Sequence, residues 1–70
     1  MVTVNGPKLR ELRQAAGLTL VALAELTKLD RRTLSGYENK TISDPGCTPI
    51  YRLARYYKVT MEQLLRDEAP

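Results

Sequence analysis

Two adjacent arginines, Arg31 and Arg32, carry the most suggestive chemistry in this sequence. They follow Asp30 in the stretch LDRRTLSGYENK, residues 29–40. Asp30 is a good N-cap, since its carboxylate can accept from the free backbone N–H groups of a first helical turn. Cations at that end meet a partly positive helix terminus, at a cost of about 0.3–1 kcal/mol each. Something must offset that cost. A guanidinium presents a planar fork of donors that fits a phosphate, or the O6 and N7 edge of guanine in the major groove. Ser35 and Gly36 stand about one turn further on, a hydroxyl and a bare backbone suited to close approach. The bland alternative is a solvated pair of arginines facing Asp30 or Glu38. Gly36 has its own alternative, an early helix end, because glycine inside a helix costs about 0.5–1 kcal/mol against alanine.

The elements that must position these residues are read from periodicity. Strand-like alternation occurs only in MVTV, residues 1–4, and the remainder is helical in pattern. GPKLRELRQAAG opens with Pro7, acceptable as a first helical residue, and closes with Gly17 as a C′ glycine. Leu9, Leu12, Arg13 and Ala16 share one face of that helix. Three later starts place an apolar residue before the N-cap and another four after it: Leu18, Thr19, Leu23; Leu29, Asp30, Leu34; and Val59, Thr60, Leu64. Thr60 and Gln63 also fit a capping box. These signals predict helices from Leu20 to Lys28, Arg31 to Tyr37 and Met61 to Asp67. NKTISDPGC reads as a loop, with Thr48 as N-cap and Pro49 opening a further helix that turns Ile50, Leu53, Ala54 and Tyr57 inward. The expected fold is all-α, a compact five-helix domain spanning residues 1–70.

Only Lys28 to Asp30 separate the second and third helices, so the chain must turn a sharp corner, the geometry of a helix-turn-helix. Ala24 is placed for the crossing, while Leu34 and Tyr37 anchor the third helix. Arg31, Arg32, Ser35 and Gly36 are left on or near its outer side.

Composition narrows the function classes. The chain has 70 residues, 43% hydrophobic and 27% charged, an ordinary globular balance. Cys47 is the lone cysteine and histidine is absent, so neither an internal disulfide nor a His/Cys metal cluster can form. Cys47 is expected as a small buried apolar residue. Without a nucleophile–base pair or a glycine-rich phosphate loop, the sequence does not read as an enzyme, and no cofactor, metal or small-molecule ligand is implied. The longest apolar run, Leu18 to Leu26, is too short to span a membrane, and no signal peptide is visible, so a cytoplasmic protein is expected. The net charge of +3 is unevenly spread: residues 1–60 carry +5 and residues 61–70 carry −2. A basic body suits a polyanionic partner.

From about Leu9 to Leu65 the sequence resembles the phage-repressor family of helix-turn-helix domains, the Cro and lambda-repressor, XRE-like type. The resemblance lies in LRELRQAAGLT, LAEL, TLSGYEN and LARYYKVTMEQLL, in that order and spacing. It implies a sequence-specific binder of double-stranded DNA that regulates transcription, as a repressor and a homodimer on an inverted repeat. Carried over residue by residue, Arg31, Arg32, Ser35 and Gly36 become base-contact candidates. Thr19 with the backbone of Leu20, and Asn39, Lys40 and Thr41, become phosphate-contact candidates. The resemblance also implies a partly buried ion pair between Arg13 and Glu38, and a two-fold interface at Met61 with Tyr56 or Tyr57. Leu20 stands where the family often has a glutamine, so that side-chain contact is lost. Lys28 replaces a common glycine and must take a left-handed or otherwise adapted backbone. The loop after the third helix is longer than in compact members and poorer in lysine and arginine. A protein-interaction adaptor of the same fold, presenting Tyr51, Tyr56 and Met61, is the competing class.

Overall fold

Asn5 starts the first helix. Its side-chain oxygen accepts from the Lys8 backbone N–H at 3.2 Å, so α1 spans Gly6–Ala15 and Pro7 takes its second position rather than its first. A computed structural model, describing residues 2–42 and 44–67, shows β1 (Val2–Val4) before this helix. After it come α2 (Leu20–Thr27), α3 (Arg31–Glu38), α4 (Cys47–Tyr57), a 3-10 turn (Met61–Leu64) and β2 (Leu65–Asp67). Gly6 has a packing reason: a Cβ there would collide with the carbonyl of Tyr37, so the start of α1 lies directly against the end of α3.

Both ends of the corner form as local chemistry dictates. Thr19 Oγ1 accepts from the Ala22 N–H at 3.1 Å and opens α2, and Asp30 Oδ1 accepts from the Arg32 N–H at 2.8 Å and opens α3. Between them Lys28 adopts φ 57° and ψ 40°, the left-handed conformation its glycine-like position requires. Arg52 Nη1 donates to the Lys28 carbonyl at 2.9 Å and braces the turn from α4. The core gathers Val4, Leu9, Leu23, Leu34, Tyr37, Ile50, Leu53, Ala54 and Leu64, with Ala24 packed at its margin. Leu53 and Leu64 are fully buried.

The structure corrects the all-α, five-helix expectation: there are four α-helices among the described residues, and a small sheet. The capping box at Thr60 does form, with Gln63 N–H donating to Thr60 Oγ1 at 3.3 Å and Thr60 N–H donating to Gln63 Oε1 at 3.0 Å. It starts a single 3-10 turn only. The chain then extends and pairs antiparallel with β1, in register Val2 with Asp67, Thr3 with Arg66 and Val4 with Leu65. The Asn5 N–H donates to the Leu64 carbonyl at 2.9 Å, leading into the pair. A seven-residue helix is marginal on its own, whereas β-branched Val2, Thr3 and Val4 favour a paired strand. Tertiary pairing wins. Two smaller expectations also fail. α4 begins at Cys47 with Gly46 at the N-cap and no side-chain cap, so Thr48 is already helical. Cys47 is in the exposed first turn, not the core.

No helix among the described residues is long and apolar enough to cross a membrane, and no group of His, Cys, Asp or Glu among them could hold a metal ion.

Candidate nucleic-acid interface

α3 turns Leu34 and Tyr37 into the core and leaves Arg31 and Arg32 in solvent. The Tyr37 hydroxyl donates to the Pro45 carbonyl at 2.5 Å and ties the following loop to the helix. Leu20, Arg31, Arg32, Ser35, Gly36 and Thr41 line one shallow concavity of about 260 Å³. Neither guanidinium has a hydrogen-bond or ion-pair partner among the described residues. Asp30 spends its carboxylate on the Arg32 backbone, and Glu38 is engaged by Arg13 and Arg10. The arginines are therefore not a self-neutralised surface pair. They are a free positive pair at a helix N-terminus.

Gly36 lies in the last turn of α3, which continues through Tyr37 to Glu38, so the helix does not end early at this glycine. Its bare face is filled by the protein itself. A Cβ at Gly36 would stand 2.5 Å from Ile42 Cδ1 and 2.6 Å from Ile42 Cγ1. The N–H groups of Thr41 and Ile42 both donate to the Gly36 carbonyl, at 2.9 and 3.1 Å, so the chain folds back over the end of α3. The close approach anticipated at this glycine is first of all that of Ile42.

At the adjoining end of α2, Thr19 is exposed with its hydroxyl oxygen on the Ala22 N–H. The Leu20 N–H, in the first turn, has no helical carbonyl to bond and is suited to an anion. Asn39 and Lys40 fall elsewhere. They line a neighbouring concavity of about 490 Å³ with Pro7, Arg10, Glu11, Gln14 and Glu38. Lys40 takes φ 62°, which completes the turn away from α3.

Arg13 and Glu38 meet through Nε to Oε2 at 2.8 Å and Nη2 to Oε1 at 3.0 Å, and Arg13 Nη1 donates to the Leu18 carbonyl at 2.8 Å. Hydrogen bonding to Glu38 holds the Arg13 pKa above its ordinary value despite burial. Arg10, one turn earlier on α1, was not singled out from sequence. Its Nε lies 3.4 Å from Glu38 Oε1 and its Nη2 donates to Asn39 Oδ1 at 3.0 Å. The i, i+3 spacing with Arg13 was the available signal. Tyr57 turns inward toward this cluster, and burial first, then the Glu38 charge, push its phenol up to about 12. Its ring meets that of exposed Tyr56 edge-on at 5.3 Å, while Met61 is half-buried against the core. Exposed Tyr51 accepts a hydrogen bond from Arg55 Nη1 at 2.8 Å.

Comparison with known proteins agrees with this geometry. A family model described as helix-turn-helix matches residues 9–64. The HTH-type transcriptional regulator ImmR of Bacillus subtilis (strain 168) is 36% identical over 64 residues, covering 90% of this chain and 50% of ImmR. The chain thus spans half the length of that relative. Among solved structures, the restriction-modification controller protein C.AhdI from Aeromonas hydrophila matches with a TM-score of 0.74 at 36% identity, over 84% of this chain and 88% of C.AhdI. With its sharp corner, its exposed α3 and these relatives, the chain belongs to the XRE-type helix-turn-helix family of DNA-binding transcription regulators.

Proposed function

We propose that the chain binds a specific double-stranded DNA sequence through α3, acts as a homodimer on an inverted repeat, and represses transcription by occupying a promoter. The observation that carries this reading is the concavity in which unpartnered Arg31 and Arg32 stand beside Leu20, Ser35 and Thr41. In it Arg31 and Arg32 reach base edges, the first residues of a recognition helix being the ones that do so. Ser35 and the Gly36 backbone line the same approach. Thr19, the Leu20 N–H, Asn39, Lys40 and Thr41 meet the flanking phosphates. One such helix covers only a few base pairs, so two must be held about 34–36 Å apart on one face of the duplex. Exposed Tyr56, backed by Tyr57, and the accessible part of Met61 supply the contact between copies.

In vitro selection from a random DNA pool, followed by sedimentation of the protein on the selected site, tests the DNA-binding and homodimer parts of this proposal. The expected result is a dyad-symmetric site holding two chains, with affinity falling steeply as salt rises because bound counterions are released. A site without symmetry and one chain per complex defeats the homodimer. No salt-dependent binding to any DNA would favour the adaptor reading.

A further inference from the structure

A chain of hydrogen bonds runs from α1 to the exposed side of α3. Arg10 Nε stands 3.4 Å from Glu38 Oε1, Arg10 Nη2 donates to Asn39 Oδ1 at 3.0 Å, and Asn39 Nδ2 donates to Ser35 Oγ at 3.1 Å. An asparagine amide can ordinarily face either way. Here it cannot. A guanidinium has five donors and no acceptor, so the Asn39 oxygen must face Arg10 and its NH2 must face Ser35. Ser35 Oγ is therefore an acceptor within the chain. A hydroxyl has one proton and two lone pairs; Asn39 takes one lone pair, so the proton and a single lone pair are left to face outward. No acceptor among the described residues takes that proton, and Ser35 lines the concavity with Arg31, Arg32 and Thr41.

We propose that Arg10 and Asn39 are positioning residues that fix the Ser35 hydroxyl as a donor toward DNA, so that Ser35 reads acceptor edges in the major groove. This rests on the DNA-binding reading above and adds a polarity to it. Guanine offers N7 and O6 as acceptors and thymine offers O4, adenine mixes an acceptor with a donor, and cytosine presents only its N4 donor. Ser35 therefore favours guanine or thymine, which take its outward proton, over cytosine, which only its one remaining lone pair could meet, at one position of each half-site.

The test measures affinity for every single-base variant of a selected site, together with melting temperature, for the wild type and four variants. The wild type should bind cytosine at one position about two- to tenfold more weakly than guanine or thymine, the range of one neutral hydrogen bond. Ser35→Ala should level that position and leave the others intact. Arg10→Met lets Asn39 turn over and should narrow the same preference, whereas Arg10→Lys, again a donor without an acceptor, should keep it. Asn39→Asp is the sharpest variant. Its carboxylate accepts from both Arg10 and the Ser35 hydroxyl, turning the serine proton inward and its lone pairs outward. The order of preference should then reverse in favour of cytosine, even as the added negative charge weakens binding overall.

A purely structural Arg10 would lower melting temperature and weaken all sequences alike, leaving base preference unmoved, and that result overturns the positioning role. Ser35→Ala with every preference retained, or Asn39→Asp with the order unchanged, overturns the polarity assignment while DNA recognition by α3 stands. A wild type without any sequence preference sinks that broader reading and this one with it.

Discussion

Arg13 grips Glu38 with two hydrogen bonds, of 2.8 and 3.0 Å, and so joins the last turn of α1 to the last residue of α3. The Glu38 side chain is only 4% exposed and that of Arg13 16%. Arg13→Ala should therefore cost about 3 kcal/mol, because it strands a buried carboxylate. Arg10, at 3.4 Å and half exposed, compensates only in part. Urea titration measures the loss, and a change below about 1 kcal/mol would mean that the pair behaves as an exposed one.

Gly36 and Ile42 should be energetically coupled. Alanine at position 36 gains about 0.5–1 kcal/mol of helix propensity, but its methyl group must displace Ile42. Gly36→Ala alone is expected to destabilise by about 1 kcal/mol, as overpacking does. In an Ile42→Ala background the same change should stabilise. Four melting curves close the cycle, and a coupling of zero would show that Ile42 swings aside freely.

The role proposed for Arg31 and Arg32 sets stability against binding. Each alanine variant should gain about 0.3–1 kcal/mol in stability as the unfavourable helix-end charge is removed. At least one of them should lose about 1–3 kcal/mol of affinity for a selected site and relax preference at one base pair. Lys40→Ala should weaken all sequences alike and lower the salt slope by about one unit. Retention of affinity and preference by both arginine variants would end the recognition role of α3.

Tyr57 gives an alkaline signature. Its folded value of about 12 lies above the ordinary phenol value of 10, so the folded state holds this proton more tightly than the unfolded chain. Stability is untouched by this group below pH 10 and falls as pH rises from 10 toward 12. An ultraviolet titration should show one phenol ionising near 12, absent in Tyr57→Phe. Burial also raises Tyr37, and the difference between the two titrations isolates Tyr57. The Tyr57 hydroxyl has no hydrogen-bond partner among the described residues, so Tyr57→Phe should cost less than about 0.5 kcal/mol, below the value of a typical intramolecular hydrogen bond. A larger cost would reveal a bond to that hydroxyl.

The helix-turn-helix corner was legible because its signals are local. Thr19, Asp30, the flanking leucines and the short turn at Lys28 each act within a few residues. The Arg13–Glu38 pair bridges 25 positions and could be anticipated only through family resemblance. Arg10 resembled any surface arginine, since Asn39 and Glu38 reach it only after α1 has docked. Leu65 to Asp67 continued a helical pattern, and nothing nearby in sequence announced that Val2 to Val4 would claim them. Cys47 was misjudged because residue type, rather than its place in an uncapped first turn, set the expectation. The candidate DNA surface was visible as a set of residue types, but its division into two concavities depends on where the chain folds back after Glu38.

The pairing of β1 with β2 sets residues 2 and 67 side by side. Val2 is the register partner of Asp67, and such partners lie about 4.5–5.5 Å apart between Cα atoms. A junction of two or three residues, each reaching at most about 3.3–3.6 Å, would close the loop. Reopening it between Asp44 and Pro45, in the connection between α3 and α4, would create new ends without cutting a helix or strand. Such a circular permutant should keep the same core and the same α2–α3 corner, and melt cooperatively. Loss of the cooperative transition would show that the order of the helices along the chain, and not only their packing, is needed to reach this fold.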